Sequence, residues 1–172
     1  DCPESMKVAA GNYIVSVRSG DFEKPAFASP QYGDSQCVVV EKDGIVNVGL
    51  VCRQLNSGIR LSIAPAFLTS YPDGVLFLKA AEGRLMYSYS EKRVAYFKPG
   101  PVSLILNRSG KDEVLMTREL APQEILVLGV GVSNVQSSSE GKGLTISVDT
   151  TRTWISDRLT IGEGTVNSGV SP

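Results

Sequence analysis

Three cysteines, six tyrosines and a scatter of carboxylates are what this chain has for chemistry, because it contains no histidine. Without an imidazole, Ser-His-Asp and Cys-His catalysis, His-ligated zinc and histidine pH switching are excluded. Cys2, Cys37 and Cys52 show no CxxC spacing, so neither a thioredoxin-like motif nor a zinc ribbon is present. The chain has no GxSxG elbow, no GxGxxG turn and no GxxxxGK phosphate loop. Gly129-Val130-Gly131 lacks a third glycine and a following helix, and reads as a strand end. A glycosidase-type pair such as Glu91 and Glu113 has nothing in the sequence to position it. Glu91-Lys92-Arg93 reads as a solvated turn, and Asp112-Glu113 as a loop without calcium-site spacing. No catalytic residue, metal site or cofactor is expected, and the protein is read as not an enzyme.

The aromatic residues offer a recognition chemistry instead. Tyr87 and Tyr89 stand two apart, so on a strand they share a face with Leu85. A pair of exposed tyrosines is a platform on which a sugar ring can stack. The alternative, that one or both belong to the core, stays open. Trp154 is the third candidate, as a loop-tip anchor or as the residue that closes one end of the fold. Two short modification triplets are also present, Asn107-Arg108-Ser109 and Asp149-Thr150-Thr151.

The elements that must hold these residues are strands. Glycine recurs at short intervals from Gly11 to Gly110, too often for long helices. Between the glycines the apolar residues alternate, as in Tyr13-Ile14-Val15-Ser16-Val17 and Ile59-Arg60-Leu61-Ser62-Ile63. Asp43-Gly44 predicts a type I′ hairpin between residues 37–42 and 45–48. That register sets Cys37 opposite Leu50, with Cys52 diagonal to it on one buried face, a candidate disulfide pair near the limit of disulfide geometry. Three structural or free thiols is the other reading. A second hairpin is expected to join residues 102–107 to 113–119, with a helix over 111–120 as the alternative. One helical turn is expected at residues 66–71, after Pro65 and before Pro72-Asp73-Gly74. Residues 137–143 read as a polar loop and 162–172 as a flexible tail. The expectation is an all-β, antiparallel two-sheet sandwich over residues 1–161.

Length and charge agree with that. The 172 residues suit one sizeable core, and 42% hydrophobic with 20% charged residues is ordinary globular usage. A net charge of −1 supplies no field for nucleic acid or anionic lipid. The apolar runs are too short to span a bilayer as helices. The start at Asp1, without Met or a signal-peptide pattern, is read as that of a processed product.

The ordered landmarks Ala10-Gly11-Asn12-Tyr13, Pro25-Ala26-Phe27-Ala28-Ser29-Pro30, Val51-Cys52-Arg53-Gln54-Leu55-Asn56, Tyr96-Phe97-Lys98-Pro99-Gly100 and Ile146-Ser147-Val148-Asp149 resemble those of a fimbrillin-like extracellular domain family of Bacteroidetes lipoproteins. Its members often stand beside carbohydrate-associated domains. The resemblance implies a transthyretin-like or immunoglobulin-like sandwich at the cell surface with a structural or adhesive role. Glycan capture is the alternative it implies. It carries over no catalytic residue. Such domains usually have strands ahead of the segment matching Gly11, and in fimbrillins removal of an early segment opens a groove for a strand of the next subunit. The implied partners are therefore neighbouring surface proteins joined by strand addition, and glycans. Any lipid anchor is expected in a precursor segment absent from this sequence. A self-contained monomer remains the competing expectation, and the 162–172 tail is a weak donor strand.

Overall fold

The computed structural model describes residues 4–132 together with the backbones of Ser133, Asn134, Lys142–Asp149 and Leu159–Ile161. In chain order the elements are β1 (Gly11–Arg18), β2 (Ala26–Phe27), β3 (Tyr32–Val40), β4 (Leu50–Gln54), β5 (Ser57–Ile63), α1 (Pro65–Ser70), β6 (Val75–Ala80), β7 (Gly83–Tyr87), β8 (Ala95–Phe97), β9 (Gly100–Arg108), β10 (Lys111–Leu120), β11 (Ile125–Asn134), β12 (Lys142–Asp149) and β13 (Leu159–Ile161). Among the described residues the chain is all-β apart from one short helix, as glycine spacing and period-two patterning require. The chain divides into two compact units. One comprises Asp1–Asp21, Tyr32–Arg53 and Asp157–Pro172; the other comprises Phe22–Gln31 and Gln54–Ser156.

The larger unit is the sandwich. One sheet has the order β10-β9-β6-β7 and the other β12-β11-β5-β8-β2. Alternation along the strands supplies the core: Leu76 and Leu78 from β6, Leu104 and Leu106 from β9, Ile59 and Leu61 from β5, Leu126 and Leu128 from β11. All eight are nearly inaccessible to solvent, and removing such area from water is the main stabilising term. Neighbouring strands are antiparallel except at the centre of the five-stranded sheet, where β5 and β11 run parallel from Gly58 opposite Ile125 to Ile63 opposite Val130. Gly58 is required there, since a side chain at that position would collide with Val94. The smaller unit is one sheet, β1-β3-β4-β13, antiparallel where β1 meets β3 and where β13 meets β4.

The hairpin between β9 and β10 forms as expected, with longer strands and a two-residue turn. Ser109 (φ 50°) and Gly110 (φ 78°) both take left-handed backbone, the type I′ geometry whose twist matches the flanking strands. The alternative helix over 111–120 gives way to β10, which bulges between Val114 and Met116 so that Leu115 and Met116 both reach the core. Helix α1 forms where Pro65 starts it, and its Phe67 is buried.

The hairpin expected about Asp43-Gly44 does not form. Asp43 takes φ 58°, and the Gly44 N–H donates to the Glu41 carbonyl at 3.0 Å. The central turn residues are therefore Lys42 and Asp43, a left-handed conformation that aspartate tolerates. Residues 45–49 then form a loop rather than a strand, with Ile45 92% exposed. A long loop does not dictate register, so no tight turn sets the facing of β3 against β4. Of the expected polar loop, residues 137–141 lie outside the described residues, and Lys142 and Gly143 begin β12. The 162–172 tail lies outside them as well.

Candidate functional site

Among the described residues β1 is one of the two edge strands of its sheet, with β13 at the other edge. Its eight residues pair with β3 in one unbroken register, from Gly11 opposite Val40 to Arg18 opposite Gly33. Tyr13, Val15 and Val17 turn one way and are half-buried, so alternation sends Asn12, Ile14, Ser16 and Arg18 to the exposed face. Ile14 is consequently 73% exposed, directly opposite Cys37. Val39, 64% exposed, stands opposite Asn12.

Both ends of this ladder are pinned. The Tyr13 hydroxyl donates to the Ala9 carbonyl at 2.7 Å. At the other end the Tyr32 N–H donates to the Ser19 hydroxyl at 2.9 Å, and the Ser19 N–H donates to the Tyr32 carbonyl at 2.8 Å. Beyond β3, the Asp34 carboxylate accepts from the Val51 N–H at 2.7 Å and from the Ser35 N–H at 2.8 Å. Those two bonds, with Arg53 nearby, hold its pKa below the usual carboxylate value. Edge strands normally carry charges, proline or a bulge that blocks a further strand. Residues 11–17 carry no charge and no proline, and the register shows no bulge. The result is an edge strand in regular register, with one row of backbone groups unpaired among the described strands. Sequence reasoning expected an exposed edge but missed which apolar residue marks it. The signal was Ile14, apolar and out of phase with Tyr13, Val15 and Val17.

The tyrosine platform is not assembled. Tyr87 is a core residue at 2% exposure; its hydroxyl donates to the Arg93 carbonyl at 2.9 Å, and its ring meets Phe27 edge-on at 5.4 Å. Strand β7 ends at Tyr87, so Tyr89 lies beyond the strand and is exposed. Tyr87 and Leu85 do share the inner face, as alternation demands. Trp154 lies outside the described residues. Nor do Cys37 and Cys52 share a buried face: Cys37 is exposed on β3, Cys52 is buried on β4, and both are free thiols. Burial raises the pKa of the Cys52 thiol.

Glu91 and Glu113 are each engaged by an arginine. Glu113 lies 3.6 Å from Arg108. Glu91 folds back on its own turn, accepting from the backbone N–H groups of Lys92 and Arg93, each at 2.9 Å, and from the Arg93 guanidinium at 2.7 and 3.0 Å. The guanidinium bonds, then the backbone ones, pull its pKa down to about 2. Because the folded value is depressed, the stabilisation from ionised Glu91 is complete above its ordinary pKa near 4.5 and fades as pH falls towards about 2. A carbon-detected NMR titration of the Glu91 carboxyl should therefore show a midpoint near 2. A midpoint near 4.5 would show that the Arg93 contacts do not persist in solution.

Two further features belong to the sheet β10-β9-β6-β7. On its outer face the Arg84 guanidinium lies 3.5 Å from the Phe77 ring centroid and bridges Asp112 at 3.0 Å, and the Asn107 amide also donates to Asp112. Near the β9–β10 turn a cavity of about 330 Å³ is lined by Asp73, Leu106, Arg108, Ser109, Lys111 and Glu113. Among the described residues no cluster of three metal-ligating side chains exists, and no helix is long and apolar enough to cross a membrane.

The fold defines an all-β sandwich protein with an additional four-stranded sheet in which β1 has one neighbour among the described strands. The chain belongs to the family described as a domain of unknown function, DUF4493, whose model matches residues 1–162. No curated protein and no solved structure matches it.

Proposed function

We propose that this protein is a non-catalytic structural or adhesion module of the cell surface, joined to a neighbouring subunit by strand addition in the manner of a fimbrial or pilus-like component. The observation that carries the reading is β1: eight residues in unbroken register with β3, pinned at both ends, with no charge or proline from Gly11 to Val17. An added strand satisfies such an edge through main-chain hydrogen bonds, and side chains on alternate positions select the partner. The resemblance of residues 11–56 to fimbrillin-like domains of Bacteroidetes supports an extracellular or outer-membrane setting. Amide hydrogen exchange tests it. The β1 amides that do not bond to β3 should be protected in surface extracts of the cells that make the protein, and should exchange fast in the dilute purified chain. Fast exchange of those amides in both samples would sink the reading.

Glycan binding is the second reading, and the cavity beside the β9–β10 turn favours it over the tyrosines. Its lining combines donor side chains, Arg108 and Lys111, with acceptor side chains, Asp73 and Glu113, a mixture that matches hydroxyl groups on a sugar. Saturable binding on a glycan array, lost in Arg108→Ala, supports this reading; an array without saturable binding removes it.

A further inference from the structure

We propose that the strand received by β1 is β1 of a second copy of this chain, running antiparallel about a two-fold axis that sets Ile14 opposite Ile14. This rests on the strand-addition reading and names its partner as a dimer mate, in place of the next subunit of a pilus-like polymer. In an antiparallel pair, residues directly opposite one another lie on the same face. The exposed face of β1 presents Asn12, Ile14, Ser16 and Arg18. With Ile14 on the axis, apolar meets apolar, Asn12 meets Ser16, and on the other face Tyr13 meets Val15. Each Arg18 then lies beyond the paired region, at opposite ends of the dimer. Sliding the register by one step of the same face sets Ile14 against Ser16 and Asn12 against Arg18, and the apolar pair is lost. A parallel pairing would bring the two Arg18 side chains together, and like charges placed opposite one another are unfavourable.

The pairing also extends a surface already present. Cys37 stands opposite Ile14 on β3, so the dimer carries a row Cys37, Ile14, Ile14, Cys37 across four strands. Val39, exposed on the same strand face as Cys37, flanks the row diagonally. The two Cys37 residues would be three strand spacings apart, about 14 Å, too far for a disulfide. Association therefore does not depend on thiol oxidation. A two-fold contact consumes the β1 edge of both copies, so association through that edge closes at two.

Light scattering on the full chain, with reductant present, tests this. Wild type should pass from 18.4 kDa to twice that mass as concentration rises. Ile14→Lys and Ile14→Glu should each stay monomeric across the same range, because each sets two like charges face to face. Ile14 is 73% exposed, so neither substitution disturbs the packing of its own sheet. An equimolar mixture of the two variants should recover the doubled mass. A monomeric wild type, variants that associate like wild type, a mixture that stays monomeric, or a mass that climbs past two copies would each overturn the proposal. The two readings fail separately. If the purified chain stays monomeric while the β1 amides that do not bond to β3 are protected in surface extracts, another protein supplies the strand and only self-pairing falls. If those amides exchange fast in both samples, strand addition falls as well.

Discussion

Tyr87→Ala is expected to cost about 3–5 kcal/mol of stability, the range for deleting a large buried aromatic ring. The ring is 2% exposed and is surrounded by the sandwich core, where Phe27 meets it edge-on. Truncation leaves a cavity that the surrounding strands fill only in part, and it also abandons the Arg93 carbonyl that the hydroxyl satisfies. Tyr87→Phe keeps the ring and loses that one bond, so about 1 kcal/mol is expected. Urea unfolding followed by tryptophan-independent far-UV circular dichroism separates the two variants. A cost below about 1 kcal/mol for the alanine variant would mean that Tyr87 is not packed as described.

Asn56→Ala is expected to cost about 2–4 kcal/mol, although the side chain is small. Asn56 is 1% exposed. Its carbonyl oxygen accepts from the Gln31 N–H at 3.0 Å and its amide donates to the Ser29 carbonyl at 2.9 Å. The Gln54 amide in turn donates to the Asn56 backbone carbonyl at 2.8 Å, and the Leu55 N–H donates to the Gln31 carbonyl at 2.7 Å. Alanine removes both side-chain bonds while leaving their backbone partners in place. Ser57→Ala is the smaller comparison, since it loses one bond, from the Ser57 hydroxyl to the Ala121 carbonyl. Its expected cost is about 1 kcal/mol. An Asn56→Ala loss no greater than that of Ser57→Ala would show that the Ser29 and Gln31 groups find other partners.

Much of the fold was legible because it is local. Alternation exposed the strands, Pro65 and Pro72-Asp73-Gly74 bracketed α1, and a glycine near the end of one apolar run located the β9–β10 turn. Alternation also put Tyr87 and Leu85 on one face, but a period of two says nothing about which face is the inner one. That choice decided between a sugar platform and a core residue. Likewise, the period does not reveal which strands become neighbours, so the parallel pairing of β5 with β11 left no trace in the pattern. The turn at residues 41–44 was misplaced by one position because Asp43, and not Gly44, accepted the left-handed conformation. Asn56 was invisible for another reason: its partners lie more than twenty residues upstream, and a lone asparagine carries no sign of what it binds.

The parallel pair has a consequence for biosynthesis. On the ribosome, β5 emerges well before β11, with α1 and five further strands made in between. Through that interval β5 can reach β8 once the latter is made, but its other edge has no partner until β11 arrives. Non-local pairings of this kind form slowly and leave incomplete sheets exposed to foreign strands. A chain stalled or truncated before Ile125 would keep Ile59 and Leu61 on a half-built sheet. The vulnerable interval in the synthesis of this protein is thus the one before β11 emerges, when the strand that closes the middle of a sheet has yet to be made.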